Sequence, residues 1–438
     1  MKKSIRSLAA ISLAAAGLLT VATLPASAAH KVKKITCYEL TTTALKTKHV
    51  TTKACPKGWT KTKPSLQGTN LAGDIDNVVP GSQTLSINGS SFDAPLIGAT
   101  TSGTTAYSAG GKVTFSAYPA AGSGTGRTSI VNGTVQIGFS DVPMTAAAGT
   151  LPAGATEANF DQIPYALGGA VIGYNLGDGF DNLQLTASEI AQIYDGKITQ
   201  WSDPQIVTTN GGTGTAVGKA LSNLGTNSEA RDTIKVLYRN AGSGTTEAFT
   251  YYLSEAGNSG HAPNGGSPME GAGGAWGATN ILGVPNNAGM AQGIVNTLGS
   301  IGYVEYSYVL IPGNDAIQVA QLQDKNGQWL KPSLTNIAAA AAAAGTGLST
   351  ANFAITNLAG NNVWPLATYS WAIVPYAQTS ETTCEAITKY LDWETHYGQN
   401  AIASSEGYVP LPQGVRNYAR ALLEKITVNG TVCVTQKS

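Results

Sequence analysis

From Gln83 onward, short apolar runs alternate with stretches whose apolar residues recur at helical spacing, and this alternation restricts the fold more than any other feature. "QTLSING", "KVTFSAY", "VQIGFSD", "PYALGGAVIGYNL", "IKVLYR", "SIGYVEYSYVL" and "WAIVPY" read as strands, the fourth and sixth of them buried. "SSFDAPLIGATTS", "GRTSIVNGT", "TASEIAQIYDG", "TEAFTYYLSEAG", "TNIAAAAAAAG", "TCEAITKYLDWETH" and "VRNYARALLEKI" read as helices, with Thr186 the expected cap of the third. Strand and helix alternating over ~350 residues imply an α/β architecture with largely parallel sheets. A chain of 438 residues exceeds one ordinary domain, so two lobes are expected.

The N-terminal part is built differently. Residues 1–28 read as an export signal: Lys2, Lys3 and Arg6, an apolar run, then Ala26, Ser27 and Ala28 as a small-residue cleavage site before Ala29. No cysteine follows the run, so no lipid anchor is expected on a secreted or cell-surface product, and no later stretch is apolar enough to span a bilayer. Residues 29–66 form a basic module and residues 67–82 a linker. Residues 30–63 hold nine lysines against Glu39 alone, whereas 14 basic and 25 acidic residues follow Lys63. A basic head thus precedes an acidic body. The head is either a solvated spacer or a binder of anionic cell-wall polymer. Export permits disulfides. Four cysteines allow three pairings. Local proximity favours Cys37–Cys55, closing a small β-hairpin in the head, and Cys384–Cys433.

The pentapeptide AGSGT occurs twice, in "AAGSGTGRTSI" (Ala120 to Ile130) and in "YRNAGSGTTEAF" (Tyr238 to Phe249), each time between a strand and a helix. A helix N-terminus presents unpaired N–H groups and partial positive charge. Glycine lets the backbone approach a ligand closely, and serine and threonine hydroxyls add donors. One such loop is more often a turn and a cap. Two at equivalent positions, one just after Arg239, read as an anion cradle. The arginine offers a planar fork suited to a tetrahedral oxyanion, the alternative being a surface salt bridge. Neither copy is a Walker A loop, a G-x-G-x-x-G turn or a G-x-S-x-G elbow. Four histidines (His30, His49, His261 and His396) supply little for a Ser–His–Asp arrangement, and no metal cluster is expected. The loops read as holding an anion rather than transforming it.

Four further stretches, "INGSSFDAPLI", "GTVQIGFSDVPMT", "IYDGKITQWSDPQI" and "GSIGYVEYSYVL", belong to a similarity that runs in order from Ser86 to Ile426. It resembles the phosphate-binding proteins that serve phosphate ABC transporters. The resemblance implies a two-lobed periplasmic-binding-protein fold of type II, each lobe a mostly parallel sheet flanked by helices. Residues 83–173 and 302–438 would form one lobe and residues 174–301 the other. It implies a phosphate site made of Ser91, Phe92, Ser123, Asp141, Arg239, Ser243, Gly244 and Thr245, with Gly242 in the same R-x-x-GSGT motif. Two positions depart from the pattern. Ser91 stands for the usual threonine and keeps the hydroxyl, and Ala241 stands where some members carry an aspartate that pairs with the arginine. No reaction and no cofactor are implied. The implied partner is a membrane permease that receives the closed form, and no nucleic-acid partner is expected.

Asp141 gives such a site its selectivity. A buried carboxylate repels a fully deprotonated oxyanion. Phosphate near neutral pH keeps a proton to donate to that carboxylate, and sulfate does not. Discrimination of this hydrogen-bonding kind reaches roughly 10⁴ to 10⁵. Without the resemblance, Asp141 also fits a helix cap. Two other readings stand beside phosphate capture. One is a secreted phosphatase or phosphotransferase using Asp141 or Ser243 as nucleophile. The other is a wall-associated structural protein whose body has lost its ligand.

Overall fold

The computed structural model describes residues 35–40, 45–50, 55, 81–102, 107, 112–256, 276–345, 347–398 and 402–433. The expected export signal and most of the expected linker lie outside the described residues. In the basic head, β1 (Ile35–Leu40) and β2 (Leu45–Val50) pair antiparallel, with Cys37 opposite Lys48. Cys55 is disulfide-bonded; the side chain of Cys37, its expected partner, lies outside the described residues. The second expected bridge, Cys384–Cys433, is formed.

An eight-stranded sheet organises the body. In chain order its strands are β3 (Ile87–Gly89), β4 (Ile137–Ser140), β5 (Phe160–Asn175), β6 (Lys235–Arg239), β7 (Ile281–Val284), β8 (Ser300–Glu305), β9 (Gln318–Val319) and β10 (Ala367–Pro375). In space the order is β3-β4-β10-β5-β8-β6-β7, with β9 also on β5. β5 is the shared member. It runs for 16 residues and every residue after Phe160 is buried, as its unbroken apolar run from residue 163 to residue 174 requires. Its first half, Phe160 to Gly169, pairs with β10, and its second half, Ala170 to Asn175, pairs with β8. One strand thereby passes from the first lobe into the second. β9 pairs with Gly173 and Tyr174 on that second half, so the chain completes its return to the first lobe only at β10.

Parallel pairing, as expected, joins β3 to β4 and β6 to both β7 and β8. The pairs of β5 with β8 and β10, and of β10 with β4, are antiparallel. Strands that leave a lobe and strands that return run in opposite directions, so the crossing region departs from the parallel rule of strand–helix units. Two local readings also change. "QTLSING" splits into Gln83–Leu85, which pairs with Val113–Phe115, and β3, which pairs with β4. "SIGYVEYSYVL" ceases to be a strand at Glu305, whose carboxylate accepts from Ser307 N at 2.8 Å and caps a short helix, Tyr306–Val309.

Helices follow the strands: α1 (Ala94–Thr101), α2 (Ser123–Val131), α3 (Ala187–Tyr194), α4 (Gly244–Glu255), α5 (Asn287–Val295), α6 (Leu334–Ala344), α7 (Glu381–Trp393) and α8 (Gln413–Leu423). Thr186 caps α3 as expected, in a reciprocal box with Glu189. Two main apolar cores flank the seam. One gathers Val171, Tyr174, Leu237, Phe249, Ile301 and Trp364, and the other gathers Ile87, Phe92, Phe139, Tyr165, Ile387 and Trp393. Among the described residues, no helix is long and apolar enough to cross a membrane.

Candidate functional site

Three strands deliver loops to one place. β3 is followed by Ser90, Ser91 and Phe92, β4 by Asp141, and β6 ends on Arg239. Each AGSGT copy then opens a helix. In the first copy Gly122 takes a positive φ of 106° and α2 starts at Ser123. In the second, Ser243 is the cap, its Oγ accepting from Thr246 N at 3.2 Å, and α4 starts at Gly244.

The two loops face one another across the lobes. Ser123 Oγ accepts from Gly244 N at 3.2 Å and from Asp141 N at 3.2 Å, and Gly124 N donates to Gly242 O at 3.3 Å. Only glycine permits this approach. A Cβ on Gly122 would lie 2.6 Å from Gly242 O, and one on Gly244 would lie 2.5 Å from the Asp141 Cβ.

Asp141 and Arg239 both lie at this contact, 2% and 1% exposed. Ser90 Oγ donates to one Asp141 oxygen, and Thr245 Oγ1 donates to the other at 3.2 Å. Burial pushes the Asp141 carboxyl up to about 6, against the hydrogen bonds from Ser90 and Thr245 and the charges of Arg239 and Arg127. Burial lowers the Arg239 pKa, with Tyr303 and Asp141 opposing. Arg239 Nη2 donates to Pro285 O at 3.0 Å, its backbone N donates to Tyr303 Oη at 3.1 Å, and its buried Nε has no hydrogen-bond partner within the protein. The carbonyl of Pro285 therefore orients the guanidinium in a chain whose residue 241 is alanine.

The remaining expected residues converge here too. Ser91 Oγ accepts from Asn287 N at 3.0 Å and from Asn287 Nδ2 at 3.1 Å. Phe92 N donates to Ser90 Oγ at 2.9 Å, and its ring fills the space left by Gly168, where a Cβ would stand 2.8 Å from Cζ. All eight residues singled out in the sequence are buried in one place.

Sequence reasoning missed Ser90, Asn287, Arg127 and Glu247. Ser90 and Asn287 each sit in a doublet, Ser90-Ser91 and Asn286-Asn287, in which one residue reads as an ordinary cap. Asn286 does cap α5, accepting from Gly289 N at 2.8 Å, which masks its neighbour. Burial pushes the Glu247 carboxyl up to about 8, with the Arg127 charge opposing. Burial likewise raises Asp93 and Glu305 well above the carboxylate range. Among the described residues, no group of His, Cys, Asp and Glu is arranged to hold a metal ion. Chemically the site gathers hydroxyls, helix-terminal N–H groups and a guanidinium around the Asp141 carboxyl. That suits an oxyanion which still carries a proton.

A profile of the PBP superfamily domain matches residues 74–392. The phosphate-binding protein PstS of Xylella fastidiosa strain Temecula1 is 32% identical over 362 residues, covering 80% of this chain and 90% of that protein. The chain belongs to the PstS family of the PBP superfamily. The phosphate-binding protein PstS of Haemophilus influenzae is 32% identical over 306 residues, covering 68% of this chain and 81% of its own length. A phosphate-binding protein from Stenotrophomonas maltophilia matches in structure at a TM-score of 0.54 and 19% identity, over 80% of this chain and 96% of that one. PfluDING, a periplasmic phosphate-binding protein bound with phosphate, matches at 0.56 and 18% identity, over 77% and 93%. The chain has the two-lobed type II fold that the sequence resemblance implies.

Proposed function

We propose that this PstS-family chain is a secreted solute-binding protein that captures inorganic phosphate between its lobes and delivers it to the permease of an ABC-type importer. One observation carries the reading: two glycine-edged helix N-termini, one from each lobe, meet around the buried pair Asp141 and Arg239. Ser91, Ser123 and Ser243 supply hydroxyl protons, and Thr245, Phe92 and Gly244 line the site, their own donors engaged by Asp141, Ser90 and Ser123. Arg239 supplies the countercharge, and Asp141 accepts the proton of phosphate. With its carboxyl at about 6, Asp141 is ionised near neutral pH and is an acceptor there. Closure follows a hinge between a first lobe that begins at residue 83 and a second lobe entered near residue 174, the two joined through β5. Export removes residues 1–28, and the lysine-rich head retains the protein at the cell surface on anionic polymer.

The rival phosphatase reading needs Asp141 or Ser243 to attack. Ser243 Oγ is engaged as a helix cap, and both Asp141 oxygens accept hydrogen bonds, which favours holding over attack. Calorimetry with phosphate and sulfate near pH 7.5 tests the proposal. Phosphate is expected to bind at least about 1000-fold more tightly than sulfate. No heat and no thermal stabilisation at millimolar phosphate would sink it. Turnover of a phosphomonoester, abolished in Asp141→Asn, would favour the enzyme. The retention role predicts that a chain lacking residues 29–66 leaves the cell surface, and equal retention of that chain would refute it.

A further inference from the structure

Asn287 opens α5, is fully buried and sits where the lobes meet. Its Oδ1 accepts from Glu305 N at 3.1 Å. A backbone N–H can only donate, so the amide oxygen faces Glu305 and the NH2 group faces away from it. On that side Nδ2 reaches two acceptors, Ser91 Oγ at 3.1 Å and Thr245 Oγ1 at 3.1 Å. The backbone N of Asn287 donates to Ser91 Oγ as well, at 3.0 Å.

A hydroxyl has two lone pairs and one proton. Both lone pairs of Ser91 are taken by Asn287, so Ser91 can act only as a donor. Thr245 also accepts from the amide and directs its own proton toward Asp141. Serine lacks the second Cβ branch that stiffens χ1, and the two bonds from Asn287 fix its hydroxyl instead.

We propose that Asn287 is a positioning residue that sets hydroxyl polarity across both lobes, so that Ser91 presents its proton to the anion and Thr245 turns its proton to Asp141. The assignment rests on the phosphate reading above. It also ties polarity to closure. Ser91 comes from the first lobe, while Asn287 and Thr245 come from the second. The Ser91 hydroxyl is therefore fixed as a donor only when the lobes are together.

The test is phosphate calorimetry on four proteins: wild type, Asn287→Ala, the double variant Ser91→Ala/Thr245→Val, and the triple variant. Loss of the aligned Ser91 donor, with the Thr245 proton no longer held toward Asp141, is expected to weaken phosphate binding on the order of tenfold in Asn287→Ala. The same change made in the double variant is expected to cost less than about threefold, because there are no hydroxyls left to orient. An equal factor in both backgrounds means that Asn287 acts only through general structure, and overturns the proposal. Neutron diffraction of the phosphate-bound wild type gives a second readout that needs no variant to fold. The Nδ2 deuterons are expected on Ser91 and Thr245, and the Ser91 deuteron on phosphate. A Ser91 deuteron pointing at Asn287 overturns the assignment. A wild type that binds no phosphate overturns the phosphate reading, and the polarity assignment with it.

Discussion

In the proposed site Asp141 must stay ionised to accept a proton from phosphate, yet it is buried. Arg239, Ser90 and Thr245 hold its carboxyl at about 6 against the cost of burial. Replacing it with asparagine exchanges a pure acceptor for a group that also donates. Asp141→Asn should bring phosphate and sulfate affinities to within about tenfold of each other, read by calorimetry with both anions. A ratio left above about 1000 would remove the carboxylate from the selectivity argument. Glu247 makes a different prediction. Burial raises it from 4.5 to about 8, so the folded chain binds this proton more tightly than the unfolded chain does. Its contribution to stability is complete below about pH 4.5 and is lost as pH rises through about 8. The melting temperature of phosphate-free Glu247→Gln should therefore fall less steeply between pH 5 and 8 than that of wild type, and superimposable slopes would refute this. At this scale the sequence was legible wherever a residue sat in a motif, as Asp141 and Arg239 do. Asn287 was not, because its partners stand 18 and 196 positions away and only the closed fold brings them together.

α2 and α4 matter for where they begin. Each starts at a glycine-containing turn, and the two turns touch. Gly122→Ala would put a Cβ 2.6 Å from Gly242 O at a φ of 106°, and so would wedge the lobes apart. Phosphate affinity is expected to drop at least about tenfold, with less compaction on phosphate addition in small-angle scattering. Gly133→Ala is the control. Gly133 also has a positive φ, 68°, but a Cβ there meets nothing within 4 Å, so it should lower stability by about 1 kcal/mol and leave phosphate binding intact. Equal binding loss in both variants would mean that backbone strain, not the wedge, is responsible. Strands and helices with continuous apolar patterns, such as β5 and α3, were legible from the sequence. β7 and α5 were not. Their stretch, "NILGVPNNAGMAQGIV", breaks its apolar residues with glycine, proline and asparagine, and α5 buries only Asn287, Met290, Ala291 and Ile294. Small residues let α5 pack closely, and the same residues erase the periodicity that would announce it.

The Cys384–Cys433 bridge ties α7 to the end of the described chain across a separation of 49 residues. Closing a loop of that size stabilises by roughly 4 kcal/mol in the chain-entropy account. The variant Cys384→Ala/Cys433→Ala should shift the denaturant midpoint accordingly, and an unchanged midpoint would show that the segment is held by packing alone. The two-lobed plan was legible from alternation and length, but the single strand that serves both lobes was not, since a buried 16-residue run says nothing about its neighbours. The order of strands carries one more consequence. β10 lies between β4 and β5, although it is encoded long after both. During synthesis the first lobe thus waits for its keystone, with a slot one strand wide held open at its centre. A polypeptide cut short of Ala367 would keep that slot, flanked by raw amide edges ready to recruit a strand from another copy.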